Sequence, residues 1–154
     1  MRYLALAMLL SSLSSSAIHA GVVANDEAWT RFMTAGARQM AAAAFADAEK
    51  SFLSAVEAAK VYAGDDIRPA KTFNNLGALY HQTGRYDEAE RNYQLAVEIY
   101  RKQPETAGVS LAAVTNNLGE LNRLRGRFTE AGELFRQAMA LHEKNNPLSA
   151  GCCI

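Results

Sequence analysis

The four residues Asn74-Asn75-Leu76-Gly77 return letter for letter as Asn116-Asn117-Leu118-Gly119, 42 positions further on. The likeness continues beyond them, since Asn74–Tyr100 and Asn116–His142 share ten identities in 27 positions. A chain that repeats itself at this period is built from one supersecondary unit used several times. That limits the fold more than composition can.

The unit has a helical rhythm. Apolar or small side chains fall at Tyr86, Ala89, Tyr93, Ala96, Val97 and Tyr100, which lie on one stripe of a helix. The same offsets from Phe128 give Ala131, Phe135, Ala138, Met139 and His142, and from Phe45 they give Ala48, Phe52, Ala55, Val56 and Ala59. There are three copies, and His142, standing where Tyr100 stands, is expected to pack. A shorter stripe precedes each long one: Phe73, Leu76, Gly77 and Tyr80 in the second copy, Phe32, Ala35, Gly36 and Gln39 in the first, and Thr115, Leu118, Gly119 and Asn122 in the third. Each unit therefore reads as helix, tight turn, helix.

Gly84 and Gly126 suit the left-handed residue that ends a helix and reverses the chain, whereas Ala43 in the first copy is expected to strain or shift that turn. Asn25 or Asp26, Asp66 and Thr106 are candidate N-caps for the first helices, and Gly64 a candidate C-cap. Gly77, Ala89 and Ala96 sit inside the apolar stripes, where small size lets two helix axes approach closely while Tyr80, Tyr86 and Tyr93 fill the gaps. No alternating run is long enough for strands, so the expectation is all-α.

The chain's 154 residues, 49% apolar and 21% charged, suffice for one packed domain. Sixteen basic and sixteen acidic residues cancel, which removes the electrostatic footprint of a nucleic-acid binder. Residues 1–20 read as a secretory signal peptide, with Met1-Arg2, an apolar run from Tyr3 to Leu10 and a small polar stretch to Ala20. The run is too short for a stable membrane span. Cleavage after Ala20 and export, to a periplasm or the exterior, are expected. Cys152 and Cys153, adjacent near the end, have no distant partner to bridge and are expected in a frayed tail.

Small residues interleaved with aromatics in a repeating helix pair resemble the tetratricopeptide repeat, over about Asn25 to Lys144. The 42-residue spacing and doubled asparagine are most similar to the longer variant found in kinesin light chains and many bacterial repeat proteins. The first copy departs from it with Met33 and Thr34 in place of the asparagines, and the third with Thr115 where an aromatic is usual and Asn122 where Tyr80 stands in the second. The resemblance implies a right-handed α-solenoid of three helix-turn-helix repeats, at about 26–62, 67–103 and 107–144, in a domain 21–146 followed by a disordered tail 147–154.

It also implies that the first helices line a concave groove for an extended protein or peptide segment. On that geometry Lys71, Asn74, Asn75, Ala78, His81 and Gln82 face the groove in the second unit, and Asn116, Asn117, Glu120 and Arg123 in the third. An asparagine amide offers two donors and an acceptor, which suits pairing with a ligand's main chain. Either asparagine of a pair can instead bond a neighbouring helix, and for Asn75 and Asn117 both uses stay open. Met33 and Ala37 stand where the family's chaperone-tail binders carry polar residues, so that ligand is not expected.

No catalytic residues, metal ligands or cofactors are expected. His81 has no second ligand at helical spacing on its face, no phosphate loop or nucleophile elbow occurs, and Glu88, Glu90 and Arg91 belong to what should be a solvated face. The expected function is an exported, non-enzymatic interaction adaptor. The rival is a truncated targeting or regulatory module of a larger enzyme such as a peptidase, suggested by the abrupt end after Pro147. Self-association through an uncapped C-terminal repeat is a further expectation.

Overall fold

Every stripe of the sequence is a helix in the computed structural model, which describes residues 23–62 and 66–145. The signal peptide, the cut after Ala20, the Gly64 cap, Pro147, the tail 147–154 and both cysteines lie outside them. Helix α1 covers 23–41, α2 Phe45–Ala59, α3 Arg68–Gln82, α4 Tyr86–Arg101, α5 Pro104–Leu124 and α6 Phe128–Asn145. The described residues contain no strand. Each helix packs chiefly on its neighbours in sequence, and α3 also meets α5 across the layer of first helices. The result is the expected right-handed α-solenoid of three helix pairs.

The three turns within the pairs are closed alike. Arg85 N–H donates to the Tyr80 carbonyl at 2.8 Å, Arg127 N–H to that of Asn122 at 2.9 Å and Ala44 N–H to that of Gln39 at 2.9 Å, the hydrogen bond that seals a helix through a left-handed residue. That residue is Gly84 or Gly126, each with φ 75°, and in the first pair Ala43, with φ 57°. Alanine keeps the turn where it should be but holds a conformation that costs an L-residue roughly 1–2 kcal/mol. Ala43→Gly therefore raises stability by about 1 kcal/mol, part of the gain being lost to the greater freedom of glycine in the unfolded chain. An unfolding midpoint that fails to rise contradicts this.

Within each pair an aromatic ring of the second helix lies on a glycine of the first. A Cβ built on Gly77 would come within 2.5 Å of the Tyr93 ring, one on Gly36 within 2.5 Å of Phe52 and one on Gly119 within 2.7 Å of Phe135. This is the close approach that the small residues foreshadow, and it lets the aromatic cover the helix backbone. The core runs without interruption from Ala48 and Phe52 through Leu76, Tyr93 and Val97 to Val114 and Leu121. Thr115, in place of an aromatic, is buried and satisfies its hydroxyl by donating to the Leu111 carbonyl at 2.7 Å.

Successive pairs are tied by arginines. Arg85, just past the turn of the second pair, reaches back to Glu49 of α2 at 2.9 Å, and its guanidinium lies 4.3 Å from the centre of the Tyr80 ring. The Tyr80 hydroxyl donates to the same carboxylate at 2.8 Å; burial first, then this bond, pushes it up to about 12, so it remains a donor. One unit on, Arg127 reaches Glu90 of α4 at 3.0 Å, with Arg125 on the other Glu90 oxygen at 2.5 Å and also paired to Asp87. Asn122 replaces Tyr80 by accepting from Arg127 at 3.3 Å. Glu90 thus joins two repeats instead of standing on a solvated face, and Glu88 pairs with Arg85. Between α1 and α3, Arg68 holds Asp66 at 2.7 Å and pairs with Asp26, its guanidinium 3.6 Å from the centre of the Tyr62 ring, while the Trp29 indole donates to Thr72 at 2.9 Å.

Other expectations are corrected. Thr106 is not an N-cap: α5 begins two residues earlier, at Pro104, whose fixed φ and missing N–H suit a first helical turn. Neither Asn25 nor Asp26 starts a helix, because α1 is already under way at 23. The N-cap position of α3 is Ile67, although the Asp66 carboxylate does accept from Arg68 N–H at 2.7 Å. His142 is exposed, as is Met139. In α4 the equivalent Tyr100 and Val97 are covered by the following helix, and no described helix follows α6, which buries only Ala131 and Ala138.

Candidate functional site

The residues expected to face a groove come from α3 and α5, adjacent members of the first-helix layer. Helical spacing puts Lys71, Asn74, Asn75, Ala78 and Gln82 along one side of α3, and they line two depressions. The larger, about 410 Å³, lies between α1 and α3, with Ala37, Met40 and Ala41 on one wall, Asn75, Ala78 and Gln82 on the other and Phe52 beneath. The smaller, about 250 Å³, is bounded by Met33 of α1, by Lys71, Asn74 and Asn75, and by Tyr100, Ser110 and Ala113 towards α5. Asn75 borders both.

The four asparagines divide by role. Asn117 Nδ2 donates to Asn74 Oδ1 at 3.3 Å, which ties α5 to α3. The side chains of Asn75 and Asn116 have no hydrogen-bond partner among the described residues, and Asn116 is exposed. The helix-bonding use thus falls to the first asparagine of one motif and the second of the next. In α5, Glu120 and Arg123 form an ion pair one turn apart at 2.5 Å, and the Arg123 guanidinium holds the Glu120 carboxyl below its usual range. Together they present little net charge. His81 is half-buried, its ring edge-on to Tyr86 and Tyr93 with centroids 6.1 and 6.4 Å away. It packs as much as it faces outward.

Residues of the first copy also form the walls. Met33, Ala37, Met40 and Ala41 occupy the places that Asn74, Ala78, His81 and Gln82 hold in the second; Met33 and Ala37 are expected there from the sequence, and counting back 41 positions from His81 and Gln82 adds Met40 and Ala41. The lining grades from thioether and methyl groups beside α1, through amides and Lys71 on α3, to Ser110 and Ala113 on α5, while Asn116, Asn117, Glu120 and Arg123 line neither depression. Among the described residues no cluster of His, Cys, Asp and Glu could hold a metal ion, and no helix is long and apolar enough to cross a membrane.

The helix pairs, their glycine-on-aromatic contacts and their turns define a tetratricopeptide solenoid. Two family models, both described as tetratricopeptide repeat, match residues 37–102 and 111–146, and the chain belongs to that family. Among solved structures it is similar to BtubC (BKLC) from P. vanneervenii, with 24% identity and a TM-score of 0.71 over 77% of this chain and 48% of that one. The likeness is one of fold, and the chain spans about half the length of that protein. The comparison with curated proteins finds no match. Tetratricopeptide repeats are protein–protein interaction modules, typically scaffolds without catalysis.

Proposed function

We propose that the chain is an exported adaptor that holds an extended protein segment along the depressions between α1, α3 and α5. The observation that carries this reading is two unengaged amides on the layer of first helices, Asn75 bordering both hollows of 410 and 250 Å³ and Asn116 exposed on the neighbouring α5. A main chain laid there could give and accept hydrogen bonds at the amides while its side chains enter the hollows beside Met33 and Met40. The balanced charge of the chain favours a protein segment over nucleic acid. Export rests on the character of residues 1–20; N-terminal sequencing of accumulated protein should begin at Gly21, and a start at Met1 would overturn it.

Asn75→Ala with Asn116→Ala tests the groove. Each lost hydrogen bond weakens binding by about 1 kcal/mol, so capture of the partner should fall roughly thirtyfold with helicity unchanged. Undiminished capture removes the groove assignment. The second reading is a targeting or regulatory module of a larger enzyme such as a peptidase. Finding the same polypeptide extended by a catalytic domain in cells would decide for it.

A further inference from the structure

The outer face of α6 breaks the pattern of α2 and α4. Phe128 and Met139 are 71% and 62% exposed, although their counterparts Tyr86 and Val97 are half-buried and buried. Glu49 and Glu90, the carboxylates that grip the arginine of the next repeat, are replaced in α6 by Gly132. A Cβ built on Gly132 meets nothing within 4 Å. The face keeps the apolar stripe of a repeat interface but has lost the socket for a further repeat of this pattern.

The opposite end of the stack is closed to it. Where α3 has Thr72 and Leu79, and α5 has Val114 and Leu121, all buried, α1 carries the exposed Arg31 and Arg38. Stacking α1 of one copy on α6 of another would press two guanidinium groups against Phe128 and Met139 with no carboxylate at Gly132 to receive them, which is costly.

We propose that two copies of this chain pack α6 against α6, antiparallel, about a two-fold axis near Phe135. The stripe is nearly symmetric about that residue: Phe128 and His142 lie seven positions to either side, and Ala131 and Gly132 mirror Met139 and Ala138. The two-fold brings each Phe128 to the partner's His142 and seats each Met139 in the open space over the partner's Gly132. Large meets small twice over, in an isologous contact that closes at two. The contact lies on a second helix, away from the depressions, so it stands or falls independently of the groove.

Sedimentation equilibrium of the purified chain from about 1 to 100 µM, the range of a modest interface, tests it. The mass should rise to twice that of one chain and no further. Gly132→Glu restores the residue type of the two earlier helices at a site with room for it, so the circular dichroism spectrum should not change. It would bury a carboxylate beneath each partner Met139 and weaken association by about a hundredfold or more. Met139→Lys should do the same. A wild-type mass that stays at one chain, as when other residues of the chain cover the face, overturns the proposal. So does a mass that climbs past two, or dimerisation of Gly132→Glu equal to that of the wild type.

Discussion

Gly77→Leu lowers the stability of the chain by about 3 kcal/mol, at the upper end of what overpacking a core costs. The first carbon of any side chain there already overlaps the Tyr93 ring, and Tyr93, 1% exposed, has no room to withdraw. Leucine adds three more carbons to a contact that has no space for one. The helices must part, and with them the stacking of α4 on α5. For a domain of this size the unfolding midpoint should drop by roughly 10 °C. A midpoint within about a degree of wild type would show that the aromatic does not rest on the glycine.

Phe52→Ala costs more, about 3–5 kcal/mol, because it empties a fully buried site on the glycine of the first pair. Its effect is also placed differently. In a stack where each pair touches only its neighbours, stability is a sum of unit and interface contributions, so damage at an end can be shed there. Amide hydrogen exchange should show α1 and α2 losing protection first, with α3 to α6 retaining theirs, whereas Gly77→Leu at the centre weakens all three pairs. Uniform loss across the six helices in the Phe52 variant would contradict this.

Much of the architecture was legible because it is local. The Gly77–Tyr93 contact joins residues 16 apart on helices linked by a tight turn, so the interleaving of small and aromatic residues reports it directly. Contacts between repeats were harder to see. Nothing about Glu90, one acid among several on its helix, tells that Arg125 and Arg127 will converge on it, since that depends on where a turn 35 residues away is carried. His142 shows the limit of periodicity, which places a residue on a stripe but does not say whether anything covers it. The asparagines fall between: the repeated motif marked them, while the staggered Asn117–Asn74 bond, which settles which amides are engaged, needed the offset between α3 and α5.

Because every helix finds its main packing partner next to it along the chain, little loop-closure entropy stands between the unfolded polypeptide and its first productive contacts. Chains wired in this way acquire structure in microseconds to milliseconds, and ordering can start in any pair and spread outward. The central pair, with neighbours on both sides to recruit, is the natural place to begin. Transit through half-formed states with sticky surfaces should accordingly be brief.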